Sequence, residues 1–370
     1  MVATATLVGT TISLNLPLLS LVLARAGWDS GAIGLNATAA SLGIFPLIPL
    51  LPRLLRVLGA RGCIALGATV AAAGMPLLPL SLDFAWWYTV RLVVGTGTAL
   101  VFVASEAAIN ALVPDAVRGR VIALYATVFC LGYVAGPLVV AAAGVEGWLP
   151  FLLSAGLYLA GALPALFARA LDGVLREGPA LAGPAVWFGL LRRGAGTFWT
   201  IFVFGLVETA VFALWPVHAR TAGGDGEGWA AATVALWIAG NFALQMPVGW
   251  LADRLDRRRL TAAVATLAAL VFLALTPLPP TAPAALALLF AAGGLVGSLY
   301  SLALVRIGSR FRGLELALAN TAFVATIQLG AVIGPGLAGP VMATLGSAAL
   351  APLLALLLAT VVPAARGRRA

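Results

Sequence analysis

Leu131-Gly-Tyr-Val-Ala-Gly-Pro-Leu-Val139 and Leu329-Gly-Ala-Val-Ile-Gly-Pro-Gly-Leu337 are two versions of one element, and they begin 198 residues apart in a chain of 370. A second echo lies at nearly the same spacing: Pro52-Arg53-Leu54 precedes one basic loop and Asp253-Arg254-Leu255 precedes another. The chain therefore reads as one unit duplicated head to tail. In a membrane protein, such parallel repeats point to two helical bundles flanking a central path.

The composition supplies the membrane. Hydrophobic residues make up 62% of the chain, charged residues 9%, and the mean hydropathy is +1.06. That is more apolar surface than a soluble domain of this length can bury. Apolar runs of about 20 residues recur throughout, long enough to cross the hydrocarbon layer as helices. No run alternates with the period of two that a barrel strand needs. The first run begins at residue 2 without a basic leader and is read as a retained helix. Cys63 and Cys130 fall in apolar segments and read as small buried hydrophobes, not as metal ligands or disulfide partners. All 22 basic residues are arginine. Without lysine there is no P-loop, pyridoxal or Schiff-base chemistry, and the net charge of +9 is spread through loops, so neither a cofactor nor nucleic acid is expected.

Breaks between apolar runs predict twelve helices, near 3–24, 31–52, 63–81, 85–112, 120–143, 148–169, 197–217, 229–251, 260–277, 283–305, 314–341 and 346–363. With both termini on the cytoplasmic side of a bacterial inner membrane, 19 of the 22 arginines fall on that side; Arg25 and Arg220 lie outside and Arg91 within a span. Trp28, Trp86, Trp87, Trp148, Trp215 and Trp229 gather at outer helix ends, and Trp187, Trp199 and Trp250 at inner ends, as aromatic belts would. The Gly- and Pro-containing stretch 172–196 is the predicted cytoplasmic linker between an N-terminal six-helix bundle, 1–171, and a C-terminal one, 197–370.

Several motifs give this plan a relative. Gly249-Trp-Leu-Ala-Asp253-Arg254-Leu-Asp-Arg257-Arg258 resembles the signature loop of the major facilitator superfamily. The equivalent loop in the first half, Pro49 to Arg61, is degenerate, with Pro52 where the acid would stand. Arg91-Leu-Val-Val-Gly95-Thr-Gly97 is similar to the family's Arg-x-x-x-Gly-x-Gly motif, and Gly132-Tyr-Val-Ala-Gly136-Pro137 to its antiporter motif. Ser105-Glu106, Arg118-Gly-Arg120 and Tyr125 resemble the YcaD-like branch of bacterial members. The resemblance covers the whole chain. It implies an all-α fold of two six-helix bundles, alternating access, a path lined by the first, fourth, seventh and tenth helices, and a monomer.

Ionisable residues inside spans are costly and so mark candidate sites. Arg91 either snorkels to the outer headgroups or faces the cavity, and the motif favours the cavity. Glu106 lies 15 residues further along the same helix, about 22 Å away, too far to pair with Arg91. It is either an inner gate partner for Arg118 or Arg120 or a proton site. Glu208 sits in mid-span with no arginine of its own helix in reach, so its carboxyl is expected to be neutral unless paired and is the first candidate proton carrier; through the family's path it could approach Arg91. A shift of 198 places Glu208 over Thr10 and Arg91 over Leu289, so the halves differ chemically. Asn15, Asn36, Asn241, Gln245, Asn320 and Gln328 are either substrate contacts or interhelical glue, with Asn15 and Asn36 preferred as contacts. His218 reads as an interfacial residue. Gly136-Pro137 and Gly334-Pro335, with Gly132 and Gly330 a turn earlier, are expected either to bend their helices or to pack them closely. Asp253 is expected to accept from a neighbouring helix N-terminus and latch a cytoplasmic gate, with the loop arginines holding topology and anionic lipid.

The expected function is secondary active transport of a small molecule, proton-coupled efflux of an apolar or amphipathic compound being the first reading. Proton-coupled uptake of a small metabolite and lipid or lysolipid flipping are the alternatives. An intramembrane enzyme is remote, since one histidine cannot build a zinc or serine protease site.

Overall fold

The computed structural model describes residues 2–112, 118–168, 184–221 and 226–366. No strand occurs among them, as lipid requires of a chain whose backbone groups must be satisfied within each segment. The chain forms two compact units: Met1–Trp28 with Asn36–Ala180, and Asp29–Leu35 with Leu181–Ala370.

The first unit contains α1 (Val2–Arg25), most of α2 (Ser30–Leu42), α3 (Leu47–Gly74), a 3-10 turn (Met75–Leu80), α4 (Phe84–Leu112), α5 (Arg118–Ala143) and α6 (Leu149–Phe167). The apolar stretch Ser30–Leu80 is 51 residues long. As one helix it would extend about 75 Å, more than twice the hydrocarbon thickness, so it must fold back. Gly59, at φ 65° and ψ 179°, is where α3 divides, in a conformation open to glycine alone. The second and third passes therefore differ from the predicted 31–52 and 63–81: the second is interrupted by a turn at residues 43–46, and the third runs into the 3-10 turn. Within this unit α1 packs on α5, and α3 packs on α4 and α6.

The second unit contains α7 (Pro184–Arg193), α8 (Ala195–Thr221), α9 (Glu227–Ala252), α10 (Arg257–Leu275), α11 (Pro283–Arg310), α12 (Gly313–Leu345), α13 (Leu350–Ala359) and α14 (Val361–Arg366). Here α8 packs on α12, α9 on α11, and α10 on α13 and α14. These pairings repeat those of the first unit, so the duplication in the sequence is a duplication of helix packing. Small residues make it possible. A Cβ at Gly132 or Gly136 would overlap the carbonyl oxygens of Thr6 and Thr10, and one at Gly330 or Gly334 those of Phe202 and Leu206. Pro137 and Pro335 lie within unbroken helices, so close approach is the role this geometry shows for the Gly-Pro elements.

These contacts also set the register of the repeat. The α5 and α12 glycines are 198 apart, but their partners, Thr6 with Phe202 and Thr10 with Leu206, are 196 apart. Glu208 is therefore equivalent to Ile12, not to Thr10 as the uniform shift implied.

The predicted linker 172–196 ends in a helix, α7, whose Leu190 is buried with Phe198, Ile307 and Phe311. Its Arg193 grips Glu315 with two hydrogen bonds, 2.9 and 3.3 Å, and lies 5.5 Å over the Phe311 ring. Arg169 and Arg176 fall outside the described residues. Among the belt tryptophans, Trp148, Trp199 and Trp250 are exposed, whereas Trp87 and Trp215 are buried. Trp87 can be buried within the protein because its indole N–H donates to the Ser81 carbonyl at 2.7 Å.

The crossings predict opposite effects for one substitution type. Gly293→Ala forces a Cβ into the Trp237 carbonyl and should lower the thermal unfolding midpoint of purified protein, by about 1–3 kcal/mol of overpacking. Gly156→Ala, in α6 with nothing within 4 Å, should leave it unchanged or raise it.

Candidate functional site

Glu208 lies 13 residues into α8, about 20 Å along its axis, and is partly exposed. Two side chains of α9 meet it. Trp237 Nε1 donates to Oε2 and Asn241 Nδ2 donates to Oε1, each at 3.2 Å. Trp237 and Asn241 are one helical turn apart, so the 3.6-residue period points both at the same acid. Gln245, a further turn along, donates to Asn241 Oδ1 at 2.5 Å, and Ser301 of α11 donates to Gln245 Oε1 at 3.2 Å. Every donor in this chain points toward Glu208. Gly297 of α11 makes the room: a Cβ there would overlap the Asn241 side-chain amide. The sequence reading found Glu208, Asn241 and Gln245 singly, and missed Trp237, Gly297 and Ser301. Their spacing of four along α9 was the available signal for Trp237.

In the first unit, Arg91 is 1% exposed and donates through Nη1 to Asn36 Oδ1 at 2.9 Å. It is buried, not snorkelling. Arg91 Nε and Asn36 Nδ2 are buried with no hydrogen-bond partner among the described residues. Asn15, expected as a substrate contact, is instead tied between helices: its Nδ2 donates to Tyr158 Oη at 3.0 Å, and its Oδ1 accepts from Ser154 at 2.7 Å. Thr98 of α4 completes this knot at 2.5 Å from Tyr158 Oη. Interhelical glue is the role the geometry shows for Asn15.

The packing register shows how unequal the halves are. Gly95 of α4 meets the Ala40 carbonyl and Gly293 of α11 meets that of Trp237, so α4 maps to α11 by 198 and α2 to α9 by 197. Arg91 and Asn36 then become Leu289 and Thr233, both buried. In the reverse direction, Glu208, Trp237, Asn241, Gln245 and Ser301 become Ile12, Ala40, Ile44, Ile48 and Val103. Arg91 and Glu208 each stand where the repeat has an apolar side chain, Leu289 and Ile12.

Glu106 is half-buried and has no hydrogen-bond or ion-pair partner among the described residues, and the side chains of Arg118, Arg120 and Tyr125 lie outside those described. In the signature loop, Gly249 lies in the last turn of α9 with open space around it, and Asp253 is exposed at the helix end. The acid that accepts from a helix N-terminus is Asp256, which caps α10 by accepting from Arg259 N at 2.8 Å. The contact expected of Asp253 is a different one, with the N-terminus of a neighbouring helix such as the fifth near Arg120, whose side chain lies outside those described. Arg254 lies 3.5 Å over the Trp250 ring, and Arg257 Nε donates to the Ala252 carbonyl at 3.4 Å. Arg258 shares the first turn of α10. The Arg259 N–H, with the nearby arginines, holds the Asp256 carboxyl below its ordinary range. No group of three or more potential metal ligands occurs among the described residues.

Comparison with known proteins places this geometry. The Major Facilitator Superfamily profile matches residues 1–335. Among curated relatives, the uncharacterized MFS-type transporter YfkF of Bacillus subtilis (strain 168) is 25% identical over 354 residues, 94% of this chain and 88% of YfkF. The uncharacterized MFS-type transporter YcaD of Shigella flexneri is 27% identical over 290 residues, covering 77% of this chain and 73% of YcaD. Among solved structures, the nucleoside transporter NupG aligns over 99% of this chain and 98% of its own, with a TM-score of 0.78 at 16% identity. A D-xylose-proton symporter aligns over 99% and 98%, with a TM-score of 0.71 at 18% identity. These likenesses establish the fold as the all-helical one of these transporters, and ten helices among the described residues are long and apolar enough to cross a membrane.

Two measurements test the site as drawn. Trp237→Phe keeps the ring and removes only the N–H, and should cost about 1 kcal/mol of stability; in a Glu208→Ala background that cost should vanish, as a double-mutant cycle would register. At the loop, Asp256 contributes stability while ionised, above its unfolded-state titration, and loses it as pH falls through its depressed folded value. Asp256→Ala should therefore lower the unfolding midpoint at neutral pH, with the deficit shrinking in acid. Asp256→Asn, which keeps a capping oxygen, should retain most of the neutral-pH stability.

Proposed function

The chain belongs to the Major Facilitator Superfamily, and we propose that this transporter is a proton-coupled secondary carrier of the bacterial cytoplasmic membrane, with both termini cytoplasmic, that expels a small amphipathic compound. The observation that carries the proposal is Glu208: an acid in mid-span whose partners within its unit are neutral donors, with no cation bonded to it among the described residues. A structural salt bridge would supply a permanent counter-charge. Neutral donors instead allow the acid to exist in both protonation states, as a carrier of protons requires.

Protonation has a mechanical consequence here. It turns one accepting oxygen of Glu208 into a donor facing the Asn241 amide, itself a donor. Relief comes if the Asn241 and Gln245 amides turn over and Ser301 changes from donor to acceptor. The proton on α8 is thereby felt at the contact of α9 with α11, and alternating access needs that kind of link between bound ion and helix packing. Arg91 and Asn36 contact the substrate, and Glu106 is a second acid toward the cytoplasmic end of α4. Asp253, with Gly249 and the loop arginines, gates that end and holds anionic lipid. Residues 1–171 and 197–370 act as the two moving halves, the carrier works as a monomer, and it needs no cofactor. Uptake is the second reading, favoured by solved neighbours described as a nucleoside transporter and a sugar-proton symporter.

Proteoliposomes with an imposed proton gradient and an internal pH dye supply the test, amphipathic compounds being added in turn. A compound-dependent proton flux is expected, and Glu208→Gln should abolish it while labelled compound still binds. Flux that persists in the variant would remove the proton from α8. Flux that runs only with inward movement of compound would replace efflux by uptake.

A further inference from the structure

The helix α7 has one face fastened and one face bare. Leu190 is buried in the cluster that holds Phe198, Ile307 and Phe311, and Trp187 packs against that cluster. Arg193 is fixed by Glu315 of α12. Phe198 stands in the first turn of α8, and Phe311 between the last turn of α11 and the first of α12, so α7 rests where three spanning helices end. At ten residues, about 15 Å, it is too short to span, and it lies at the level of those ends instead.

The bare face carries Phe188, 70% exposed, and Leu191, 39% exposed, with the exposed Arg192 one turn from Phe188. Only Gly194 separates α7 from α8: its N–H donates to the Leu190 carbonyl at 2.9 Å, and its own carbonyl accepts from Phe198 N at 3.0 Å. Beyond it the exposed positions continue at Ala195 and Trp199. Trp199 keeps its ring on the surface of a spanning helix near the inner end while its indole N–H donates to Thr360 Oγ1 at 3.0 Å, the arrangement an indole takes at a membrane interface. The apolar face of α7 is thus continuous with the interfacial surface of α8. Exposed apolar side chains beside arginine, on a short helix lying across helix ends, form the pattern of an element that lies in the plane of the headgroups. Charge selects among the lipids. Arg192, Arg310 and Arg312 are exposed at this end of the unit, and the exposed Glu315 is already held by Arg193.

We propose that α7 lies flat in the cytoplasmic leaflet, with Phe188 and Leu191 among the acyl chains and Arg192 on the phosphate of an anionic phospholipid. The guanidinium sits one turn along the helix from the ring, so its charged head reaches the phosphates while Phe188 is immersed. The lipid then holds from outside the helix that Leu190 and the Arg193–Glu315 pair hold from inside. The inference rests on the transporter reading only for which leaflet faces the cytoplasm, and it does not depend on where the proton binds.

Nitroxide labels read the depth of this face. Phe188→Cys and Leu191→Cys are labelled separately in the full-length chain carrying Cys130→Ala; Cys63 is buried and stays in place. Each is reconstituted in liposomes of phosphatidylcholine, alone or with about one part in three of phosphatidylglycerol. Collisions with oxygen, which concentrates in hydrocarbon, are compared with collisions with a neutral nickel chelate, which stays in water. Oxygen should dominate at both positions, and more so with phosphatidylglycerol. With Arg192→Gln added, oxygen should still dominate but the response to phosphatidylglycerol should be lost. Nickel dominating at both positions would place the face in water, and few collisions with either reagent would place it under protein, whether the preceding segment of this chain or a second copy; both results overturn the proposal. Depth that ignores phosphatidylglycerol with Arg192 intact overturns the anionic headgroup contact. Unlabelled protein gives a second reading free of cysteine changes. In nanodiscs, phosphatidylglycerol should raise the thermal unfolding midpoint, and Arg192→Gln should need about fivefold more of it for the same rise, the effect of one arginine at a charged surface. Equal titrations of the two proteins would remove Arg192 from the lipid. Glu208→Gln should leave label depth and lipid response unchanged, so failure of the proton reading and failure of this one are told apart.

Discussion

Hydrocarbon offers no hydrogen-bond partners, and every other feature of this protein follows from that. The backbone answers by being helical through nearly all of the described spans. Polar side chains answer by finding one another across helices, as Asn15, Ser154, Tyr158 and Thr98 do in one unit and Glu208, Trp237, Asn241, Gln245 and Ser301 do in the other. Where an answer is incomplete, as at Arg91 and Asn36, the deficit is itself information, because such groups are expensive to keep.

Duplication supplies an internal control for reading these deficits. The two units pack the same helix pairs through glycines set against carbonyls, so residues at matching register experience similar packing demands. Arg91 over Leu289 and Glu208 over Ile12 show that neither charge is needed to build its crossing. The acid and the base each stand where the other unit has an apolar side chain, and a charge not required for packing is a charge available for function.

The surroundings of each charge also differ in kind. Glu208 is met by donors on both oxygens, and those donors are locked in orientation by a chain ending at Ser301. Arg91 is held from one side only, by Asn36. The first is a closed arrangement that responds when its hydrogen-bonding sense is reversed. The second leaves Arg91 Nε and Asn36 Nδ2 unmet.

Much of this was legible in the chain itself. Hydropathy and arginine placement set the number of spans, because lipid tolerates only long apolar helices. The repeated Gly-Pro element exposed the duplication, and charge inside spans singled out Arg91 and Glu208, because buried ions are too costly to be accidental. Tertiary structure decided what spacing could not. Trp237 reads as one more apolar residue until α9 turns its indole N–H onto Glu208, and Gly297 reads as filler until the Asn241 amide needs its volume. The two-residue difference between 198 and 196 is invisible along the chain, because register is set where α1 meets α5 and α8 meets α12, by which carbonyl each glycine can touch. Asp256 caps α10 because it stands just before the first turn, and only the fold says where that turn begins.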